Sequence, residues 1–414
     1  MPLKVIVVGA GLGGLGAAIA LTRAGHDVHV IEQSGFLNEI GAAIHVAPNA
    51  SRILRKWECD LQMLHSVRCD RMQVWDAAGN LLLTPVVTGK VQAELGITDN
   101  WILTHRVDLH NTLRATAAKP VNGKRATIQL SSRVASVDAD AGVVTLEDGT
   151  IHTGDLIIGA DGTHSRAVEC IAGEDQEKES TGQNCYRFLI PVSKMQVNPL
   201  TASLLEKIGM DAHAFTSEDR RLVIYPCRRG ELLNVAGLHP SGKEMASINS
   251  SWLNTGSKED LLQTYESYSP ELREMCRIAE DIKLWSLGSR NPPRTFVKGK
   301  LALMGDAAHP TLPHQGQGGA QALEDAAALG ALFPSDTTVE QVHRRLEMYN
   351  RIRYDHAVTV MMMSQKETNK RAEMMDKLRM YVPHAELPES MVSFCWSSKP
   401  DLEAQRLLEA EVQA

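Results

Sequence analysis

At 414 residues the chain has room for about two to three domains, or for one fold with an embedded second domain, and a single small module is excluded. With 43% hydrophobic and 22% charged residues it has a globular composition, and a formal charge of -7 gives no basic footprint for nucleic acid, so small molecules are the expected partners. The seven cysteines (59, 69, 170, 185, 227, 276 and 395) form no CxxC pair and no Cys/His metal spacing; no disulfide framework and no metal site are expected, and a reducing, cytoplasmic compartment is.

The N-terminal MPLKVIVVGAGLGG lacks the basic segment and cleavage site of a secretory leader and reads as a buried strand. No stretch reaches the roughly 18 apolar residues of a membrane span. LKVIVV (3–8), a glycine turn, an Ala/Leu-rich helix over about 14–24 stopped by Gly25, and DVHVIE (27–32) form one βαβ unit. QVWDAAGNLLLTPVV (73–87) predicts two strands around an Ala-Gly-Asn turn, and 126–158 holds three β-rich segments that lead into the buried strand of DLIIGADG. NCYRFLIPV, RRLVIYPC and ELLNVAGL, within 183–238, predict antiparallel strands with RRGE (228–231) as a hairpin turn, and so a second, sheet-based domain. SKED (257–260) has a capping-box pattern and predicts helix to about 283; KGKLALMGDAAHP returns to a buried strand of the first domain. TTVE (337–340) opens a long helical region to about Met380, in which the methionines 361–363 read as packing. SFCWSS, in the tail, is expected to form a strand-like closure or a partner contact.

Gly9, Gly11 and Gly14 stand in GxGxxG register between a strand and a helix, and Glu32 ends the next strand. In that context Gly9 allows the tight turn, Gly11 lets backbone approach a pyrophosphate, Gly14 lets helix and strand pack, and the helix N-terminus offers N–H donors to phosphate. Glu32 would accept from the adenosine ribose hydroxyls and repel a 2′-phosphate, which points to FAD or NAD rather than NADP at this site. The plain alternative is a glycine turn with no ligand.

Two further acids follow buried strands, Asp161 in LIIGADGTHSR (156–166) and Asp306 in LALMGDAAHPTLPHQGQGGAQALEDAAALG (301–330). Each either reaches a ligand at the carboxyl end of the sheet or caps the helix that follows it. The glycine-rich QGQGG precedes a helix whose N-terminal dipole suits negative charge on a reduced flavin.

GxGxxG, the ADG element and the GDAAHP element, in this order over about 3–330, resemble the three fingerprints of the class A flavoprotein aromatic hydroxylases. HRVDLHNTL (105–113) is similar to their HR-x-x-L element, in which the arginine, here Arg106, reaches FAD. GAAIHVAPN, CYRFLIP (185–191), LVIYP (222–226) and SRNPP (289–293) are most similar to the salicylate 1-monooxygenase and 6-hydroxynicotinate 3-monooxygenase group. The resemblance implies an α/β fold: a Rossmann-like FAD-binding domain (1–72, 100–178, 285–336), an inserted antiparallel-sheet substrate domain (73–99, 179–284) and a C-terminal helical region (337–414). It also implies FAD contacts from Gln33, Ala43, Val134, Pro313, Gly316, Gly318 and Gly319 beside Gly9, Gly11, Gly14, Glu32, Arg106, Asp161 and Asp306. The implied reaction uses NADH or NADPH and O2, passes through a flavin C4a-hydroperoxide, and hydroxylates a phenolic or hydroxylated heteroaromatic ring, with or without loss of a carboxylate. A monomer or homodimer is expected.

That chemistry needs a base near neutral pKa to deprotonate a ring hydroxyl. His45 and Tyr225 stand where the 6-hydroxynicotinate enzymes carry a histidine and a tyrosine in this role, Tyr225 as the relay. Their plain readings are a structural hydrogen-bonder in a cofactor loop and a core strand tyrosine. Arg187 would hold a substrate carboxylate or the flavin's charged form, or else make a surface ion pair. His309 reads as packing, and Pro313-His314 as shielding the reactive flavin edge from water. Gly41-Ala42-Ala43 departs from the Gly-Ala-Gly of many relatives, and His314 replaces a frequent tyrosine or methionine. Two other readings remain at this point: epoxidation or rearrangement of a natural-product scaffold, and a flavin-binding redox sensor without turnover.

Overall fold

The computed structural model describes all residues except 36–41, 174–178, 242–254, 366–367 and 414, and no side chains at 368–369 and 412–413. A six-stranded sheet forms the base, in the order Val297–Lys298, Leu301–Leu303, Leu156–Gly159, Lys4–Val8, Asp27–Ile31, Thr127–Gln129. Its pairs are parallel except the first. Continuous apolar runs such as VIVV and LIIG suit strands covered on both faces. The helix Leu12–Arg23 packs on Gly318–Leu332 through small residues: a Cβ on Gly13 would lie 3.3 Å from Ala322 Cβ, and one on Gly16 3.1 Å from Ala326 Cβ. That closeness needs Gly and Ala on the facing stripes.

A seven-stranded sheet runs Lys283–Ser289, Glu179–Pro191, Leu232–Pro240, Arg221–Cys227, Ala212–Thr216, Arg71–Asp76, Leu81–Val87. Period-two alternation gives it two unlike faces. Tyr186, Phe188, Ile190, Leu222, Ile224, Leu233 and Val235 face a core shared with the helices Pro199–Ile208 and Pro270–Arg277. The opposite register, Cys185, Arg187, Val223, Tyr225, Asn234 and Ala236, is turned to the rest of the molecule. The sheet is antiparallel as expected, with one parallel pair, Ala212–Thr216 beside Arg71–Asp76. Two strands far apart in sequence meet there without a hairpin to reverse them.

A three-stranded sheet, Ala43–Val46, Ile102–His105 and Val67–Arg68, lies between these two. The helix expected to 283 is two helices, Lys258–Thr264 and Pro270–Arg277, the second opened by a proline at its first position, and Lys283 already begins a strand. The helical region expected to about Met380 consists of the α-helix Val342–Met363, with Met361, Met362 and Met363 wholly buried, the 3-10 helix Thr368–Met374 and the short α-helix Met375–Arg379. SFCWSS forms no strand: Met391–Trp396 is a helix capped by Ser390. All seven cysteines are free thiols, and among the described residues no helix is long and apolar enough to cross a membrane.

Candidate active site

The glycine turn divides its three residues between two tasks. Gly9 has φ +96°, and a Cβ there would meet Ala160 O at 2.5 Å; a Cβ on Gly14 would meet Gly9 O at 1.9 Å. Both answer to the packing of the turn itself. Gly11, the N-cap of Leu12–Arg23, has nothing within 4 Å of its Cβ direction. This open cradle at a helix N-terminus is where the phosphates of a dinucleotide fit.

Glu32 follows the second strand; its Oε2 accepts from Ala10 N–H at 2.7 Å and its Oε1 from Ser34 N–H at 2.8 Å. The carboxylate is thereby fixed beside the turn with acceptor capacity left for ribose hydroxyls. Gln33 is exposed next to it, and Val134 is buried at the start of Val134–Asp138.

The two other acids differ. Asp161 Oδ1 accepts from Ser165 Oγ at 2.6 Å, and its Oδ2 from Arg166 N–H at 2.7 Å and Ala167 N–H at 3.2 Å, so this carboxylate caps its own turn. Burial raises its pKa, against those hydrogen bonds. The Asp306 side chain is exposed while Gly305, Ala307 and Ala308 around it are buried. Burial of its surroundings raises its pKa, opposed by the charges of His309, Arg106 and Arg290. Asp306 is thus the carboxylate turned outward beside Arg106, at the start of Arg106–Ala117. Arg290, 4% exposed, donates to the carbonyls of Asp306 (2.9 Å) and Ala307. The open cradle, the fixed Glu32 and the free Asp306 carboxylate together fit FAD.

The strand Ala43–Val46 carries His45 into the centre. A Cβ on Gly316, φ +62°, would lie 3.2 Å from His45 Cβ and Cγ, and one on Gly319 would lie 3.0 Å from Ile44 Cδ1 and 3.6 Å from Leu12 Cδ1. The QGQGG loop therefore presses against both this strand and the start of the first helix, and larger residues would part them. Gly318 meets Thr311, and Pro313 opens the short turn Pro313–Gln315 of the same loop. On the other side, the His45 ring lies 4.3 Å from the Tyr225 ring, edge-on, and 5.4 Å from Trp101. Gly41, the first residue of the departure from Gly-Ala-Gly, lies outside the described residues.

Burial governs the titration of this group. It lowers His45 to about 4 and holds the Tyr225 phenol far above its ordinary value, with Arg187 opposing the latter. Both are neutral at pH 7. The Tyr225 hydroxyl donates to Ala43 O at 2.9 Å. Arg187 is half-buried, lies 4.2 Å over the Trp285 ring, and its Nε has no hydrogen-bond partner, so it is not the surface ion pair of its plain reading. His314 is lowered to about 3, first by burial and then by the charges of Arg221 and Arg371; its Nδ1 contacts Arg221, which requires an unprotonated nitrogen there. His309 packs as expected, and its Nε2 also meets Asp325 Oδ2 at 2.6 Å.

Sequence reasoning missed Asn234, Arg221, Arg290 and Trp101. The one available signal was polar residues interrupting apolar strand patterns, as Asn234 does in ELLNVAGL.

The model of the FAD binding domain family matches residues 2–364. Hispidin-3-hydroxylase of Neonothopanus nambi is 36% identical, over 88% of each chain. The 6-hydroxynicotinate 3-monooxygenase of Bordetella bronchiseptica is 29% identical, over 88% of this chain and 91% of that one. Among solved structures, CtdE in complex with FAD and a substrate superposes with a TM-score of 0.80 at 21% identity over 99% of both chains, a likeness of fold. With the family match covering most of the chain and the FAD cradle intact, the protein belongs to the FAD-dependent monooxygenase family that includes these aromatic hydroxylases.

Proposed function

We propose that this protein is a single-component monooxygenase of the cytoplasm that uses NADH or NADPH and O2 to hydroxylate a phenolic or hydroxylated heteroaromatic substrate. The observation that carries the reading is the neutral His45 ring, 4.3 Å from Tyr225, beneath the Gly316 loop and on the side to which the Arg187 register of the sheet is turned. Bound FAD supplies electron transfer from the nicotinamide and activation of O2. Glu32, Arg106 and Asp306 hold it, together with the backbone around Gly11 and Gly316–Gly319. His45 takes the proton of the substrate ring hydroxyl, which raises electron density on the ring carbon to be attacked. Arg187, held over Trp285, offers its guanidinium to an acidic group on the substrate. The loop 313–319 keeps water from the reacting centre. The division into FAD-binding segments (1–72, 100–178, 285–336) and substrate segments (73–99, 179–284) is part of this proposal.

A second reading, epoxidation or rearrangement of a natural-product scaffold, fits the fungal monooxygenase relatives equally. One experiment covers both. NADH and NADPH oxidation by the FAD-loaded enzyme is followed with a panel of phenols, hydroxylated pyridines and hydroxypyrones including hispidin, with mass analysis of products. The expected result is stimulated oxidation and a product that gains one oxygen; absence of stimulation and of oxygen gain across the panel overturns the proposal.

A further inference from the structure

Ala43–Val46 is an edge strand, paired among the described residues only with Ile102–His105. Ala43 stands opposite His105, and the neighbouring hydrogen bond runs from Arg106 N–H to Ala42 O at 2.9 Å. In an antiparallel ladder this makes Ala43 and His105 a non-hydrogen-bonded pair, so the N–H and C=O of Ala43 point away from its partner strand. Ala43 is 6% exposed, and water does not serve these groups well there.

Two side chains from the seven-stranded sheet serve them instead. Asn234 Oδ1 accepts from Ala43 N–H at 3.1 Å, and the Tyr225 hydroxyl donates to Ala43 O at 2.9 Å. Tyr225 and Asn234 are register partners on adjacent strands, so they stand side by side on one face. One donor and one acceptor, set next to each other, replace the missing neighbour strand at a single residue. Asn234, 2% exposed in an otherwise apolar strand, has this bond to account for its polarity.

We infer that Tyr225 and Asn234 are a paired positioning device: through the Ala43 backbone they fix the depth of the edge strand and so of His45 two residues on. The Tyr225 hydroxyl proton is committed to Ala43 O, and Tyr225 is a positioning residue, not a proton relay. The role given to His45 rests on the proposed function; the joint itself does not. Asn234→Leu would bury the Ala43 N–H without an acceptor, and Tyr225→Phe would leave the Ala43 carbonyl without a donor.

The test uses the full-length, FAD-loaded protein with Tyr225→Phe, Asn234→Leu, the double variant, and Asn234→Asp, which keeps an Oδ acceptor. FAD affinity by flavin fluorescence and visible circular dichroism of the bound flavin need no substrate, so they stand apart from the monooxygenase reading. Each of Tyr225→Phe and Asn234→Leu is expected to weaken FAD binding about three- to tenfold and to change the dichroism, with Asn234→Asp close to the parent. The double variant is expected to be little worse than the worse single one, since both bonds hold the same residue. Where a stimulating substrate is in hand, Tyr225→Phe lowers kcat about tenfold and leaves the acid limb of the pH profile in place. Unchanged affinity and dichroism in Asn234→Leu, or loss of the acid limb in Tyr225→Phe, overturns the inference.

Discussion

His45 is held neutral by its surroundings rather than by a charged neighbour. Burial against Tyr225 and Trp101 takes its pKa down to about 4, below the value near 6.5 that the base role suggests from sequence. The sign is fixed: protonation occurs as pH falls through that value, so the proton acceptor is present above it and lost below it. The acid limb of kcat/KM is therefore expected near pH 4, with a plateau through neutrality, in a steady-state pH series corrected for the substrate's own ionisation. His45→Ala is expected to keep FAD and to lose about two to four decades of hydroxylation rate in single-turnover measurements. A substrate anion formed beside the ring stabilises the imidazolium, which offsets the low intrinsic basicity at the moment of transfer.

At the scale of elements, the glycine turn separates folding from binding. A methyl group on Gly14 collides with Gly9 O at 1.9 Å and forces helix and turn apart, whereas one on Gly11 meets no protein atom within 4 Å. Gly14→Ala is expected to lower stability by about 1–3 kcal/mol in denaturant unfolding of the apoprotein. Gly11→Ala is expected to leave that stability within about 0.5 kcal/mol. In return it weakens FAD by at least about tenfold, since the new methyl group occupies the phosphate cradle. A reversed pattern would place the ligand elsewhere than this turn.

Across the whole molecule, a buried ionic cluster ties the Gly305 turn to the C-terminal helices. Arg353 bonds Asp325 at 2.6 Å, Glu324 at 2.7 Å and Gln321 Oε1 at 2.7 Å; Asp325 also accepts from Gly305 N–H at 2.9 Å. Glu324 accepts from Asn49 at 2.5 Å and from Ser398 at 2.9 Å, and Asp401 holds Arg52 and Lys56 at 2.7 Å each. His309 and Arg353 keep Asp325 at about 2, down from 3.8, despite its burial. A depressed carboxylate contributes stability above its unfolded pKa, and that contribution fades as pH falls toward 2. Arg353→Met strands two buried carboxylates and is expected to cost about 3–5 kcal/mol, read as a lower melting temperature that recovers in part when Asp325→Asn is added. The tail also supports the site from behind, because Trp396 packs 5.6 Å from Trp101, which in turn meets His45.

The βαβ unit, the GxGxxG turn, the hairpin at 228–231 and the apolar methionines were legible because each rests on local rules: period, turn chemistry, and glycine where no side chain fits. The helix break after Thr264 and the helical tail at Met391–Trp396 were not, since tertiary packing decides how far a weak periodicity continues. The same split holds for the site. Sequence alone determined that the chain carries a dinucleotide cradle, a second sheet and a set of candidate acids, because those depend on residue type in a fixed local frame. Only the tertiary structure decided that Asp161 caps its own turn while Asp306 stays outward, that His45 is neutral, and that Tyr225 and Asn234 close on Ala43 from more than 180 residues away. Those outcomes depend on which long-range neighbours exclude water and which hydrogen-bond partners arrive, and no local pattern encodes either.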